Sequence, residues 1–307
     1  MKSFLRDVAI VASATFETPS EPSRNEVEML LPVIHDALGQ VGLSQGEIGF
    51  TVSGSSDYLQ GYTFAFVGAL DAVGAWPPIR ESHLEMDGAF ALAEAVAYLQ
   101  EGHVDTALVY AFARPSRGDL DRTLSVQLDP YTVAPLWPDA RGLAGLQAQA
   151  MRDSGRYGDV PDVTPTYVGD GVTAVILATG DRARELTKTP VWIRGIDHRI
   201  EAQMLGLRDL GSSASTKLAG EGAGATNIDE AYLHVLYPHQ ELLVKDALGL
   251  DRQPVNTAAG PMMVGGLERL ATAAKSIAGT GKRAVATATS GACMQQNLVA
   301  VLEGAAA

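Results

Sequence analysis

One three-part unit occurs in both halves of this chain, and it restricts the fold more than any other feature. Residues 88–101 are alanine-rich and helical in character, Gly102 stops them, and Thr106-Ala107-Leu108-Val109-Tyr110-Ala111 follows as an apolar strand. Residues 266–277 repeat the helix, Gly279-Thr280-Gly281 breaks it, and Ala284-Val285-Ala286-Thr287-Ala288 supplies the strand. Alternating helices and apolar strands predict α/β layers. Asp36-Ala37-Leu38-Gly39 and Asp246-Ala247-Leu248-Gly249 form a weaker local echo.

Other elements follow from periodicity. Val8–Ala12 is a short apolar run that predicts a buried strand. Glu26 to Val41 carries apolar residues at helical spacing, with Gly42 as the stop. Phe50-Thr51-Val52 predicts a strand running into Gly54. Residues 143–156 predict a helix, and Val172–Ala178 a strand after Gly169-Asp170-Gly171. The region 113–167 between the halves is punctuated by Pro115, Pro130, Pro135 and Pro138. Gly211 to Asn227 is small, polar and rich in glycine, and predicts a mobile loop.

Composition narrows the function. With 307 residues, 46% of them hydrophobic and 19% charged, the chain is globular and large enough for two core-forming halves. A net charge of −13 disfavours nucleic acid and anionic membranes, which need a basic surface. The single cysteine, Cys293, excludes an internal disulfide and a cysteine-based metal cluster, and fits a reducing, cytoplasmic setting. Met1-Lys2-Ser3-Phe4-Leu5-Arg6-Asp7 lacks the apolar core of a signal peptide. No apolar run approaches the roughly 20 residues of a membrane span. Phosphate-binding glycine loops are absent, and the histidines are too scattered for a zinc site.

Several segments, in order, resemble the thiolase superfamily, especially its sterol-carrier and lipid-transfer-protein branch. Asp170–Ala178 is similar to the Asp-Gly-Ala-Ala-Ala strand, and Pro190–Ile196 to the first strand of the C-terminal half. His234-Val235-Leu236-Tyr237, Gln240-Glu241-Leu242 and Ala247-Leu248-Gly249-Leu250 resemble the His-Asp-x-Phe segment and the helix after it. Val255-Asn256-Thr257-Ala258-Ala259-Gly260 resembles the Val-Asn-Pro-x-Gly-Gly turn. The resemblance implies two fused similar halves in α/β/α/β/α layers. The expected halves are 1–188, including a shortened cap at about 113–167, and 189–307. Each is expected to hold a mostly parallel five-stranded sheet. The resemblance also implies CoA-thioester substrates, no covalently bound cofactor, and a homodimer or heterodimer with another thiolase-like chain. Dimers of this kind would pair through Thr106–Ala111 or a strand near Ile79–His83. A zinc-ribbon/OB-fold partner is a further implied component.

The departures bear on chemistry. Glu85 stands where the resemblance calls for the acyl-accepting cysteine, and Ala258–Met263 where it calls for Gly-His-Pro. A cysteine at a helix N-terminus is activated because amide dipoles stabilise thiolate; a carboxylate forms no useful thioester there. Asp87 suits either capping of the following helix or ligand contact. His234 is either an oxyanion-hole donor or a buried histidine satisfied by backbone. Tyr237 is either an acid/base for a retro-aldol step or core packing. Asp87, Gly88, Asn256, Gly260 and the weaker His239 are the substrate-binding candidates, with an Asx-turn as the other reading of Asn256. Cys293 is either a displaced nucleophile or a buried thiol. Met262 and Met263 substitute apolar bulk for a general acid. Arg114, Arg117 and Arg122 are candidates for CoA phosphates, with surface pairing to Asp119 and Asp121 as the plainer reading.

Two functions fit this pattern. One is an acyl-CoA carbon–carbon lyase of retro-aldol type in lipid or steroid side-chain degradation, with His234, Tyr237 and Glu85 as its catalytic residues. The other is a catalytically silent thiolase-like subunit that completes an active partner.

Overall fold

A computed structural model describes residues 6–60, 63–117, 119–126, 128–164 and 169–306. The expectations at residues 1–5 and 165–167 lie outside the described residues. The first set of elements is β1 (Val8–Thr18), α1 (Glu26–Gln40), β2 (Phe50–Gly54), α2 (Asp57–Gln60), α3 (Ala65–Val73), β3 (Glu81–Leu84), α4 (Gly88–Gln100), β4 (Thr106–Ala113), α5 (Leu120–Val126), α6 (Ala140–Ser154), β5 (Asp170–Thr179) and α7 (Gly180–Leu186). The second is β6 (Val191–Ile200), α8 (Ala214–Ala223), β7 (Glu230–His234), α9 (Pro238–Leu248), β8 (Val255–Ala258), α10 (Gly265–Ile277), β9 (Arg283–Ser290) and β10 (Gln296–Gly304).

Local sequence accounts for the main elements. Asn25 caps α1 reciprocally with Glu28, and Met29, Leu30, Val33, Ile34, Ala37 and Leu38 form its buried face. Residues of β4 alternate between two cores. Leu108, Tyr110 and Phe112 face α1 and α3, while Val109, Ala111 and Ala113 face α4 and α10. α4 and α10 are small-residue helices buried on most sides, so they form a central layer rather than a surface. Beyond the second set of strands, α8 and α9 pack on Val285, Val299 and Val301. The layers therefore run α1/α3, sheet, α4/α10, sheet, α8/α9, as the resemblance implied.

The strand order is β3-β2-β4-β5-β1-β6-β10-β9-β7-β8. Counted from the middle outward, both sets of five follow the order first, fifth, fourth, second, third. That repeat supports a division after residue 188, which we propose as the boundary of the halves. The sets are joined by two antiparallel pairs, Ala9 with Trp192 and Ile10 with Val191.

Each half is mostly parallel, as expected: β1, β2, β3 and β4 run one way and β5 against them, and β6, β7, β8 and β9 run one way and β10 against them. β9 and β10 are joined by a short turn, which requires opposed directions. The structure corrects two other expectations. Thr106–Ala111 is no candidate for pairing between subunits, because β4 is bonded on both sides, to β2 and β5; β3 is the open edge of the first set, as β8 is of the second. The supposed loop Gly211–Asn227 contains α8. Its small residues permit close approach: a Cβ on Gly222 would lie 1.8 Å from Asp197 Oδ2, and one on Gly195 2.0 Å from the Ala223 carbonyl oxygen. Asn297 Nδ2 donates to Ser215 Oγ at 2.8 Å and ties the helix to β10.

The same economy of space governs the start of α4. A Cβ on Gly54 would meet Gly88 Cα at 2.6 Å and the Met86 carbonyl oxygen at 2.8 Å, both backbone atoms with little room to yield. Gly39, inside α1, has nothing within 4 Å of its added Cβ. Gly54→Ala is therefore expected to destabilise the fold by about 1–3 kcal/mol in urea unfolding, and Gly39→Ala to stabilise it by about 0.5–1 kcal/mol. Equal effects from the two substitutions would contradict the packing described.

Candidate active site

The N-termini of α4 and α10 converge on one carboxylate. Asp87 is the N-cap of α4, with Oδ1 accepting from Ala89 N–H at 2.8 Å. Its oxygens also accept from Gly266 N–H at 2.9 Å and Leu267 N–H at 3.1 Å, at the start of α10. The residue is 1% exposed. Two helix N-termini form a ready-made anion site, and here the protein's own side chain fills it. Gly88 is packed under Ala111 and Leu267, and its N–H donates to the Met263 carbonyl at 3.0 Å.

His234 ends β7 beside this junction and is 2% exposed. Its Nδ1 accepts from Thr289 N–H at 3.2 Å, so the neutral ring carries its proton on Nε2. Nε2 has no partner of ordinary hydrogen-bond geometry among the described residues; the Ala259 carbonyl is its one weak contact. Burial pushes the imidazole pKa down, with Asp87 opposing more weakly, and the nearby Ala259 carbonyl adds a small upward pull. A neutral N–H donor results at pH 7. A side chain on Gly265 would strike the Ala259 carbonyl oxygen at 1.9 Å and His234 Nε2 at 2.9 Å, which explains the glycine at the start of α10.

Both groups border a cavity of about 1160 Å³. Glu85, Tyr237, Cys293, Met262 and Met263 also line it, so residues far apart in sequence meet there. Glu85 is a half-exposed carboxylate on the wall, with Oε1 accepting from Asp57 N–H at 2.7 Å. Tyr237 precedes α9 as its N-cap, and its hydroxyl pKa is raised, first by burial and then by Asp121 and Asp139. The phenol is therefore a proton donor at neutral pH. Cys293 is a buried thiol whose Sγ donates to the Leu143 carbonyl at 3.3 Å, and burial pushes its pKa up to about 11. It is the protonated form of a poor nucleophile.

Four candidates lie off this wall. Gly88 is buried behind it. Asn256 is exposed on β8, where its Oδ1 accepts from Arg269 Nη1 at 2.7 Å. Gly260 borders a separate cleft of about 290 Å³ with Glu17 and Arg269. His239 is fully buried; its Nε2 donates to Gln147 Oε1 at 3.2 Å, and burial lowers its pKa to about 4. The arginine cluster is also absent from the lining. Arg114 is buried and paired with Glu26 at 3.6 Å, and Arg117 donates to the Pro22 carbonyl at 2.7 Å, so neither pairs with Asp119 or Asp121.

Sequence reasoning missed Thr289, Arg141, Asp129 and Asp139 on the wall, and placed Asp119 and Asp121 in ion pairs. No motif marks them: they come from cap loops and a strand end that only the fold brings together. Among the described residues no group of three or more histidine, cysteine, aspartate or glutamate side chains could hold a metal ion.

The buried neutral His239 has a pH consequence. Its folded pKa of about 4 lies below the unfolded value of 6.5. As pH falls below 6.5 the unfolded chain takes up a proton that the folded chain refuses. Stability therefore declines from pH 6.5 to about 4 and levels off below. His239→Gln, which can still donate to Gln147, should remove about 3 kcal/mol of that decline. Urea midpoints between pH 7 and pH 4 check it, and an unchanged slope in the variant would contradict the assignment.

No protein-family model matches the sequence, and no curated protein is significantly similar to it. Solved structures are. The human mitochondrial 3-ketoacyl-CoA thiolase in complex with CoA superposes with a TM-score of 0.72 at 16% identity, covering 98% of each chain. The Ltp2-ChsH2(DUF35) aldolase gives 0.75 at 15% identity, covering 96% of this chain and 97% of that one. A monomeric SCP2-thiolase like protein type 1 from Mycobacterium smegmatis gives 0.70 at 16% identity, over 96% of this chain and 77% of that one. The chain has the thiolase fold.

Proposed function

We propose that this chain is an acyl-CoA carbon–carbon lyase of retro-aldol type, acting in lipid or steroid side-chain degradation as part of a dimeric or heteromeric assembly. The observation that carries the reading is the Nε2–H of His234, which has no more than a weak contact with the Ala259 carbonyl, on a large cavity that offers no activated nucleophile. A retro-aldol cleavage needs no covalent acyl intermediate. It needs a base for the β-hydroxyl, a donor for the thioester oxygen and an acid for the carbon left behind. Glu85 takes the hydroxyl proton, and the β-carbon becomes a carbonyl as the Cα–Cβ bond breaks. The electron pair enters the thioester enolate, whose oxygen accepts from His234. Tyr237 returns a proton to Cα.

The cavity supports a bulky apolar acyl group, since Leu124, Leu128, Leu143, Leu205, Met262 and Met263 contribute to its wall. The shared fold of a thiolase solved with CoA supports a CoA thioester, and that of the Ltp2-ChsH2(DUF35) aldolase supports both the reaction class and a second component. The open edge of β3, with Tyr58, Phe64 and Trp76 exposed on nearby segments, supports pairing of subunits there. No helix among the described residues is long and apolar enough to cross a membrane.

A second reading, the silent subunit, is favoured by the charge of the wall. Among the described residues of the wall, Asp119, Asp121, Asp129 and Asp139 oppose a single cation, Arg141, where CoA phosphates would otherwise be neutralised.

His234→Ala separates the two. For a lyase, it should lower turnover of a β-hydroxyacyl-CoA by about 10²–10³ in an assembly that stays intact. For a silent subunit, turnover stays within a few-fold, while Met262→Lys or Met263→Lys disrupts the assembly. In both cases acetoacetyl-CoA should not be cleaved, and acylation of Cys293, followed by mass spectrometry, should be undetectable.

A further inference from the structure

A row of polar side chains crosses the edge of the first sheet and ends at the cavity. Ser53 on β2 and His83 on β3 are in register, and Ser53 Oγ lies 2.8 Å from His83 Nδ1. Ser53 is fully buried. Phe66 stacks on the imidazole at 4.6 Å and 10°, which fixes the ring plane. The other ring nitrogen, Nε2, is buried without a hydrogen bond of ordinary length, and Glu85 Oε2 lies 3.6 Å from it. Glu85 in turn stands on the cavity wall, its second oxygen held by Asp57 N–H.

We propose that His83 is a positioning residue for Glu85, held by Ser53 so that its Nε2–H aims the carboxylate into the cavity. A serine hydroxyl that donates to Nδ1 leaves the neutral imidazole with its proton on Nε2. That proton has one carboxylate oxygen in reach. The 3.6 Å separation is that of a contact that shortens when a ligand excludes water, as acid–base pairs do between free and occupied sites. Serine, histidine and carboxylate thus act in series: Ser53 sets the tautomer, Phe66 the plane and His83 the direction of the carboxylate. The row accounts for a buried hydroxyl beside a largely buried imidazole at the edge of the sheet. It also gives Glu85, with one oxygen held by Asp57 N–H and the other facing His83, a defined orientation that a half-exposed glutamate would lack.

Two measurements test it, and only the kinetic one rests on the retro-aldol reading. In the full-length protein labelled with ¹⁵N-histidine, long-range ¹H–¹⁵N spectra at pH 8 should show the His83 proton on Nε2. Ser53→Ala should erode that preference, and Glu85→Gln should shift the Nε2 resonance. A proton on Nδ1 in the unsubstituted protein, or a His83 signal indifferent to both substitutions, would overturn the proposal. In the kinetic test, His83→Ala should lower kcat for a β-hydroxyacyl-CoA at least tenfold with KM within twofold. His83→Gln, whose amide reaches the Nε2 position, should recover most of the loss. Equal impairment of both variants, or full turnover by His83→Ala, would overturn it. If the unsubstituted protein does not turn over the thioester, the lyase reading fails and the spectra still decide the role of His83.

Discussion

The buried carboxylate of Asp87 joins the two halves of the molecule. It accepts from the first turn of α4, its own helix, and from the first turn of α10, which lies 179 positions away in sequence. An isolated buried charge is costly, and backbone donors at two helix starts are the partners that make it tolerable. Much of the local sequence follows from this junction. Gly88 and Gly266 must lack side chains for the helices to approach, since a Cβ on Gly266 would sit 2.5 Å from Asp87 Oδ1. Gly54 must do so for β2 to pass beneath α4. Without the carboxylate, three backbone N–H groups would be left buried and unpaired, each costing about 1–3 kcal/mol.

The junction also decides what chemistry remains. Helix N-termini that would otherwise stabilise a thiolate or an oxyanion are directed at Asp87. The sole cysteine is held elsewhere as a thiol, with its carbonyl tied to Gln147 and Arg208. What survives on the cavity is a neutral imidazole donor, a protonated phenol and an anchored carboxylate. That set suits proton transfer and enolate stabilisation and does not suit acyl transfer. His234 keeps its tautomer because Thr289 N–H, at the end of β9, occupies Nδ1. The position of its proton is therefore set by the sheet and does not depend on a neighbouring acid.

The repeated helix–glycine–strand units were legible because they combine a strong period with clear stops, and α1 because Asn25 and Glu28 cap it. α8 was not, because glycine, serine and alanine read locally as looseness and only the strands beneath it turn small size into close packing. The directions of β5 and β10 were likewise hidden: an apolar strand looks the same whichever way it runs. His234, Glu85 and Tyr237 could be picked out by their place in a resembling frame. The second helix on Asp87, Ser53 behind His83, and the aspartates of the cap could not, since each relation spans separate segments and carries no local pattern.

Those aspartates set the terms on which any acyl-CoA could be held. The apolar part of the wall, with its leucines and methionines, favours an apolar acyl chain through burial alone. The cap presents the opposite preference to phosphate, with four carboxylates against one guanidinium among its described residues on the wall. Salt screens such charges only beyond roughly 8 Å at physiological ionic strength, so a phosphate entering between them would still feel them. Under the acyl-CoA reading, the two ends of the ligand are therefore recognised by different means. The acyl end needs only this chain, whereas the nucleotide end needs cations that Arg141 alone does not supply. A subunit whose own surface carries a net charge of −13 gains most from a partner that brings those cations. On this reading, assembly and ligand binding are one requirement.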